Sequence, residues 1–295
     1  VTRSVQAASD QLLLGHTERL LVHVEKCDFN CSVYVDGKLA GWHAGGYEPF
    51  TLDVTSLLGA RSTHEMLVGF DDRPISQPEG KQSRSAFDHP GGIFYTCTSG
   101  MWDSIWLEVV PETYIRDVRL QPALSNRTLT IDVELCADSG QRGGVGLLNC
   151  SSVPNSTAPP RAIGARLLWQ GQVVAHGTGL EGHPLTLTIG ASEPLRSWSP
   201  HEPNMYEVVV EFATTNSTLS TPEDSIVLTT AFRDLGIGVV QQGHASAQPF
   251  ARAFLNSEPL FITGVLHQGF WPDGVYTAAT DAALQNDLLV AKQLG

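Results

Sequence analysis

The sequence predicts a mainly β protein: two successive antiparallel β-sandwiches, then the first strand and helix of an α/β domain. Three observations carry this expectation. Apolar and polar residues alternate with period two up to about residue 233. Turn-forming residues punctuate that stretch at short intervals. Beyond about residue 265 the period lengthens to that of a helix.

Taken in order, strands are predicted over 19–24, 32–35, 38–42 and 104–110. Asp36-Gly37 separates the second and third of these and supplies the two positive φ angles of a tight hairpin turn. Pro111 lacks an amide donor and cannot continue a central ladder, so a new block of strands begins after it. That block contains 129–135, in which Leu129, Ile131, Val133 and Leu135 alternate with Thr130, Asp132 and Glu134. Further strands are predicted over 165–169, 185–189, 206–212 and 225–232. Residues 139–160 are rich in Gly, Ser, Asn and Pro and read as an exposed loop or inserted hairpin.

The apolar run 259–266 has the character of a strand buried in a parallel sheet. A helix is predicted over 280–294, where Leu284, Leu288 and Ala291 share one face. Thr280 suits its N-cap, Asp281 the first turn, Lys292 the last turn and Gly295 the C′ position. About 35 residues follow Leu260, against the ~250 of a complete (β/α)8 barrel, so any barrel started here is incomplete. The chain begins at Val1 and ends directly after the helical pattern, which suggests a piece of something longer.

Composition narrows the function classes. Of 295 residues, 42% are hydrophobic and 17% charged, which suits a folded chain and excludes a disordered or collagen-like one. The formal charge of −13 opposes binding to a phosphate backbone, so nucleic acid is not an expected partner. No apolar run reaches the ~18 residues of a membrane span. No Cys/His spacing resembles a zinc site, and neither a metal nor a cofactor is expected.

Five of the eight asparagines, Asn30, Asn126, Asn149, Asn155 and Asn216, fit Asn-x-Ser/Thr. Serine and threonine make up about a sixth of the chain, so chance accounts for one or two. The excess suggests a secreted or lumenal, lysosome-like glycoprotein. That route permits a disulfide, and Cys136, at the end of a strand pattern, is paired with Cys150 beyond a glycine-rich loop. Cys27 and Cys31, four apart, read instead as two small packed thiols.

Specific strings add a resemblance. Arg19-Leu-Leu-Val-His-Val, Ser32-Val-Tyr-Val-Asp-Gly-Lys and His43-Ala-Gly-Gly-Tyr-Glu-Pro-Phe50-Thr-Leu-Asp-Val-Thr55 run in that order. Gly80-Lys-Gln82, Gly92-Ile-Phe-Tyr-Thr96 and Ser99-Gly-Met-Trp-Asp-Ser-Ile-Trp-Leu-Glu108 follow. Together they resemble the sugar-binding jelly-roll domain of glycoside hydrolase family 2, the group of β-galactosidases, β-glucuronidases and β-mannosidases. Trp198-Ser-Pro-His-Glu-Pro-Asn-Met-Tyr206 resembles a string of that family's immunoglobulin-like domain. Phe254-Leu-Asn-Ser-Glu-Pro-Leu-Phe261 resembles the hairpin leading into its catalytic barrel, with Ser257 in place of the usual glycine. Residues 264–277 resemble the first barrel strand and its loop, with His267 where relatives often carry an acid.

The resemblance implies a jelly-roll sandwich over 1–111, an immunoglobulin-like sandwich over 112–235, and over 236–295 a linker hairpin with the first βα unit of a truncated barrel. It also implies a retaining β-glycosidase, in which two glutamates ~5–5.5 Å apart serve as acid/base and nucleophile. Both come from late barrel strands in the family, the acid/base one preceded by asparagine. No Asn-Glu dipeptide occurs here, so both are expected beyond Gly295 and the chain alone is expected to be inactive. Asp71-Asp72, Glu108 and Glu134 read as solvated or ion-paired carboxylates rather than catalytic ones.

Residues expected to touch substrate are His267, Gln268, Trp271 and Asp273 in the loop after the first barrel strand, and Asp88 in a jelly-roll loop. An indole offers a pyranose an apolar face, while amide and acid take its hydroxyls. His43, Gly45 and Gly46 are expected to shape the fold, with Tyr47 and Phe50 entering the core. Trp102, Trp106, Trp169 and Trp198 read as core residues. The expected partners are a β-glycoside, the remainder of the chain's own barrel and, through subunit contacts, a second copy. The alternative is a stand-alone carbohydrate-binding or extracellular β-sandwich module. Against it stands the helix, whose apolar face two sandwiches leave uncovered.

Overall fold

A computed structural model describes residues 2–6, 18–61, 63–72, 77, 78, 80–83, 92–137, 161–213, 221–240, 249–271, 274 and 276–295. The described residues divide into two compact units. One comprises those within 2–112 together with 264–295, the other those within 113–137 and 161–263. The third segment expected over 236–295 is therefore shared between the two units.

The first unit contains strands β1 (Thr2–Gln6), β2 (Glu18–Val24), β3 (Cys27–Asp28), β4 (Asn30–Val35), β5 (Lys38–Ala44) and β6 (Phe50–Asp53). It continues with β7 (Thr63–Asp71), β8 (Gln82–Ser83), β9 (Tyr95–Thr96), β10 (Gly100–Met101) and β11 (Ile105–Pro111). The two larger antiparallel sheets have the orders β1-β7-β4-β5 and β11-β2-β6, beside an antiparallel β10-β3 pair and a parallel β8-β9 pair. Period-two alternation puts Cys31, Val33 and Val35 of β4 on the same side as Val68 of β7. These residues pack with Leu20, Val22, Val24, Phe50 and Leu52 of the second sheet to form the sandwich core. The expected hairpin turn is present, with Asp36 at φ 49° and Gly37 at φ 76°. Asp36 also accepts from the Glu65 amide at 3.0 Å and pairs with His64 at 2.7 Å. The amide first, and then the histidine, hold its carboxyl below the usual aspartate range.

Cys27 and Cys31 form a disulfide rather than packing as thiols. The chain reverses between β3 and β4, which leaves their Cα atoms 6.2 Å apart, within bridging range. Trp106 is not a core residue: it lies on the outward face of β11, stacked on His23 at 3.8 Å, and remains exposed. Cys136 is disulfide-bonded, and its expected partner Cys150 lies outside the described residues. Cys97 is free.

The second unit contains β12 (Thr113–Ala123), β13 (Thr128–Ala137), β14 (Ala162–Trp169), β15 (Gln172–Leu180), β16 (Leu185–Thr188), β17 (Tyr206–Ala213) and β18 (Asp224–Thr230). Sheets of order β12-β13-β16 and β15-β14-β17-β18 give the three-plus-four arrangement of an immunoglobulin-type sandwich. Its core holds Leu129, Ile131, Ile163, Leu167, Leu187, Val208, Val210, Phe212 and Phe232. The buried Tyr206 hydroxyl accepts from the Arg196 amide at 2.8 Å, which ties the Trp198-to-Tyr206 string to the sandwich. A meander of β19 (Leu235–Val240), β20 (Phe250–Leu255) and β21 (Glu258–Leu260) completes this unit.

The apolar run expected as a strand of a parallel sheet forms a ladder only at β21, antiparallel to β20. Residues 261–266 leave Phe261, Ile262, Val265 and Leu266 exposed, because no neighbouring strand among the described residues takes up their backbone groups. A helix follows at Asp281–Gln293, capped as expected by Thr280, whose hydroxyl accepts from the Ala283 amide at 3.1 Å. Gly295 adopts φ 89°, as a C′ residue should. Leu284, Leu288 and Leu289 of this helix are exposed.

Candidate functional site

The chemistry-bearing side chains that the first unit gathers lie where Gln268, Phe270 and Tyr276 meet Lys81 beside β8 and Tyr95 of β9. The foundation is Gln82 on β8, which is buried. Its amide nitrogen donates to Asp28 Oδ2 at 3.0 Å and to the Tyr47 hydroxyl at 3.2 Å. Its carbonyl oxygen accepts from the Thr98 amide at 2.7 Å. One amide therefore fixes three segments, and the carboxylate tied into this network, that of Asp28, is itself buried.

Gly46 makes this approach possible. A Cβ on it would stand 2.5 Å from Asp28 Oδ1, closer than any real contact. Its carbonyl accepts from the Trp102 indole at 2.9 Å. Tyr47, expected in the core, is instead half-buried and meets Trp102 edge-on at 5.8 Å. The hydroxyl bond to Gln82 explains the difference: it holds the polar end of the ring at the rim of the sandwich. Phe50 is buried as expected.

Gln268, Phe270 and Tyr276 lie on this foundation. The Gln268 side-chain oxygen accepts from Lys81 Nζ at 2.8 Å and from the Tyr95 hydroxyl at 3.1 Å. The Tyr95 ring stacks on Phe270 at 3.9 Å with 3° between planes. Tyr276 closes the group, 4.3 Å from Phe270, 5.8 Å from Tyr47 and 5.9 Å from Trp102. The result is a floor of five aromatic rings beside an ammonium, an amide and a phenol. Such a group can stack against a sugar ring and exchange hydrogen bonds with its hydroxyls.

Of the residues expected to touch substrate, the structure brings Gln268 into this group. His267 turns the other way. Its Nδ1 accepts from the Gly269 amide at 3.0 Å and its Nε2 meets Asp287 of the helix at 2.9 Å. Trp271 is half-buried. Asp273 and Asp88 lie outside the described residues, as do Asn149, Asn155 and Asn216. Asn30 and Asn126 are exposed. Tyr47, Lys81, Tyr95, Trp102, Phe270 and Tyr276 were not expected at the site. The signal that could have found Lys81 and Tyr95 is the lysine and aromatic content of the strings Gly80-Lys-Gln82 and Gly92-Ile-Phe-Tyr-Thr96.

The carboxylates set aside from catalysis are all occupied. Glu108 meets His23 at 2.9 Å, Glu134 pairs with Arg116 at 2.9 Å, and Asp72 accepts from Gln77 and Ser99. Among the described residues no group of three His, Cys, Asp or Glu side chains is placed to hold a metal. No described helix is long and apolar enough to cross a membrane.

Two sandwiches, an exposed apolar segment and a helix, with an aromatic group built by Phe270 and Tyr276 on the first unit, make a chain similar to part of family 2 glycoside hydrolases. Known proteins agree. The chain is 24% identical over 268 residues to a β-galactosidase of Thermoanaerobacter pseudethanolicus, covering 86% of itself and 30% of that protein. It is 26% identical over 264 residues to the β-glucuronidase of Rattus norvegicus, covering 84% of itself and 35% of the relative. Its fold matches a glycosyl hydrolase family 2 member from Bacteroides cellulosilyticus with a TM-score of 0.63 at 15% identity, over 100% of this chain and 35% of that one. The chain thus spans about a third of the length of the curated relatives it matches. No family model matches it.

Proposed function

We propose that this chain is the non-catalytic part of a retaining β-glycosidase, β-galactosidase-like in its chemistry, whose two catalytic glutamates lie beyond Gly295. In this reading the sandwiches brace a barrel, and the aromatic group around Gln268 forms part of the wall of the substrate cleft. Lys81, Gln268 and Tyr95 orient sugar hydroxyls and the rings exclude water, while proton transfer and nucleophilic attack belong to the glutamates. The sequons fit a secreted or lumenal glycoprotein.

The observation that supports the reading most is the contrast between residues 261–266 and the side chains of Gln268, Phe270 and Tyr276. Gln268, Phe270 and Tyr276 are anchored to the first sandwich, yet Phe261, Ile262, Val265 and Leu266 stand exposed beside them in sequence. Exposed apolar residues in a row are unfavourable in water and suit a sheet that continues around them. The test is hydrolysis of nitrophenyl β-galactoside and β-glucuronide by the chain alone and by a form extended along the same reading frame. Turnover by the extended form only is expected. Turnover by the chain alone contradicts the placement of the glutamates.

A further inference from the structure

The buried residues of β4 are Cys31, Val33 and Val35, so Asn30, Ser32 and Tyr34 share the face of the sheet turned away from the core. On that face Ser32 is paired with Trp42 of β5 on one side and with Gly69 of β7 on the other. Asn30 is paired with Ala44, which puts it diagonal to Trp42, at about 7 Å between Cα atoms. Trp42 is 58% exposed, and β5 is the edge of its sheet. A Cβ on Gly69 would touch nothing, so the surface on the other side of Ser32 is open. Tyr34 and the exposed Leu67, paired with each other, extend the apolar strip.

Asn30-Cys31-Ser32 is an acceptor triplet for N-glycosylation, and both of its functional side chains lie on this face. We propose that Asn30 carries an N-linked glycan whose first N-acetylglucosamine ring rests against the indole of Trp42. In the covalent step the Asn30 amide nitrogen bonds to the anomeric carbon of an N-acetylglucosamine carried on a polyprenyl diphosphate. The bond from that carbon to the diphosphate oxygen breaks, the lipid diphosphate leaves with the electron pair, and the amide gives up one proton. The attached pyranose then presents its C–H face to the electron-rich face of the indole. This contact covers an exposed aromatic and screens an open sheet edge, both liabilities in a soluble sandwich.

The inference goes beyond the glycosidase reading, sharing with it only the secretory route, and its test needs no hydrolase activity. The protein is secreted from eukaryotic cells and the peptide containing Asn30 is examined by mass spectrometry, before and after enzymatic removal of N-glycans. Acrylamide quenching of tryptophan fluorescence is then compared between the glycosylated and deglycosylated folded protein, and in Trp42→Phe. The expected result is a modified Asn30, lost in Ser32→Ala, with a gain in quenching on deglycosylation that Trp42→Phe abolishes. An unmodified Asn30, or a modified Asn30 whose deglycosylation leaves Trp42 quenching unchanged, overturns the proposal. Glycan removal after folding keeps the second readout valid even where Ser32→Ala fails to fold.

Discussion

The Gln268 side-chain oxygen lies 2.8 Å from the ammonium of Lys81, a contact between residues 187 positions apart in sequence. It fastens the segment after the exposed apolar run to a loop of the first sandwich, and the Tyr95 hydroxyl reinforces it. Replacing Gln268 with alanine removes the one oxygen that accepts both bonds, at an exposed position, so the loss of stability should be small, about 0.5–1.5 kcal/mol. The larger effect is expected in backbone hydrogen exchange, which should quicken across residues 267–271 and leave β13 and β17 unchanged. Unchanged exchange in that segment would show that the aromatic stacking alone holds it.

Ser257 sits at φ 69° after Asn256 at φ 52°, the two left-handed positions of the β20–β21 hairpin turn. A side chain at the second position costs about 1 kcal/mol. Ser257→Gly is therefore expected to raise the urea midpoint of unfolding, partly offset by the greater freedom of glycine in the unfolded chain. A lower midpoint would mean that the serine side chain supplies a contact outweighing the backbone cost.

Gly46→Ala should act in the opposite direction. The added carbon would meet the buried Asp28 carboxylate at 2.5 Å, and the Gln82 network leaves Asp28 little room to retreat. A destabilisation of roughly 1–3 kcal/mol is expected, measured by denaturant unfolding. The fluorescence of Trp102, whose indole donates to the Gly46 carbonyl, should shift with it.

Asp53 gives a pH dependence whose sign is fixed. Burial by itself would raise its pKa, but the Thr55 hydroxyl and amide and the Arg19 guanidinium together hold it below its usual 3.8. As pH falls, the unfolded chain takes up the proton first. The stabilisation is complete well above the usual value and is lost as pH drops through the lowered one. Asp53→Asn is expected to flatten the acid limb of a stability-versus-pH curve measured by urea unfolding. An unchanged limb would contradict this account of the carboxylate.

The strands were legible because their side chains obey a simple period. Leu129, Ile131 and Leu135 are buried as their alternation requires, and Asp36-Gly37 turns where its positive φ angles allow. The helix was equally plain from Thr280 and the leucine spacing. The site was only partly legible, since it depends on contacts between segments distant in sequence. Gln268 was found through a family string, whereas Tyr95 and Lys81 became visible only once β8 and β9 were placed beside it. The Cys27–Cys31 bridge escaped notice because a separation of four says nothing of the chain reversal between β3 and β4. Trp106 escaped because indoles are mostly buried, and only the register opposite His23 reveals its outward face.

The central claim, that the catalytic glutamates lie beyond this chain, is tested most directly by trapping the nucleophile. A 2-deoxy-2-fluoro β-glycoside incubated with the extended enzyme leaves a stable glycosyl ester on the attacking carboxylate. Peptide mass spectrometry then locates the ester. The account predicts a labelled glutamate beyond Gly295 and no label within residues 1–295. A labelled carboxylate inside that range would contradict it.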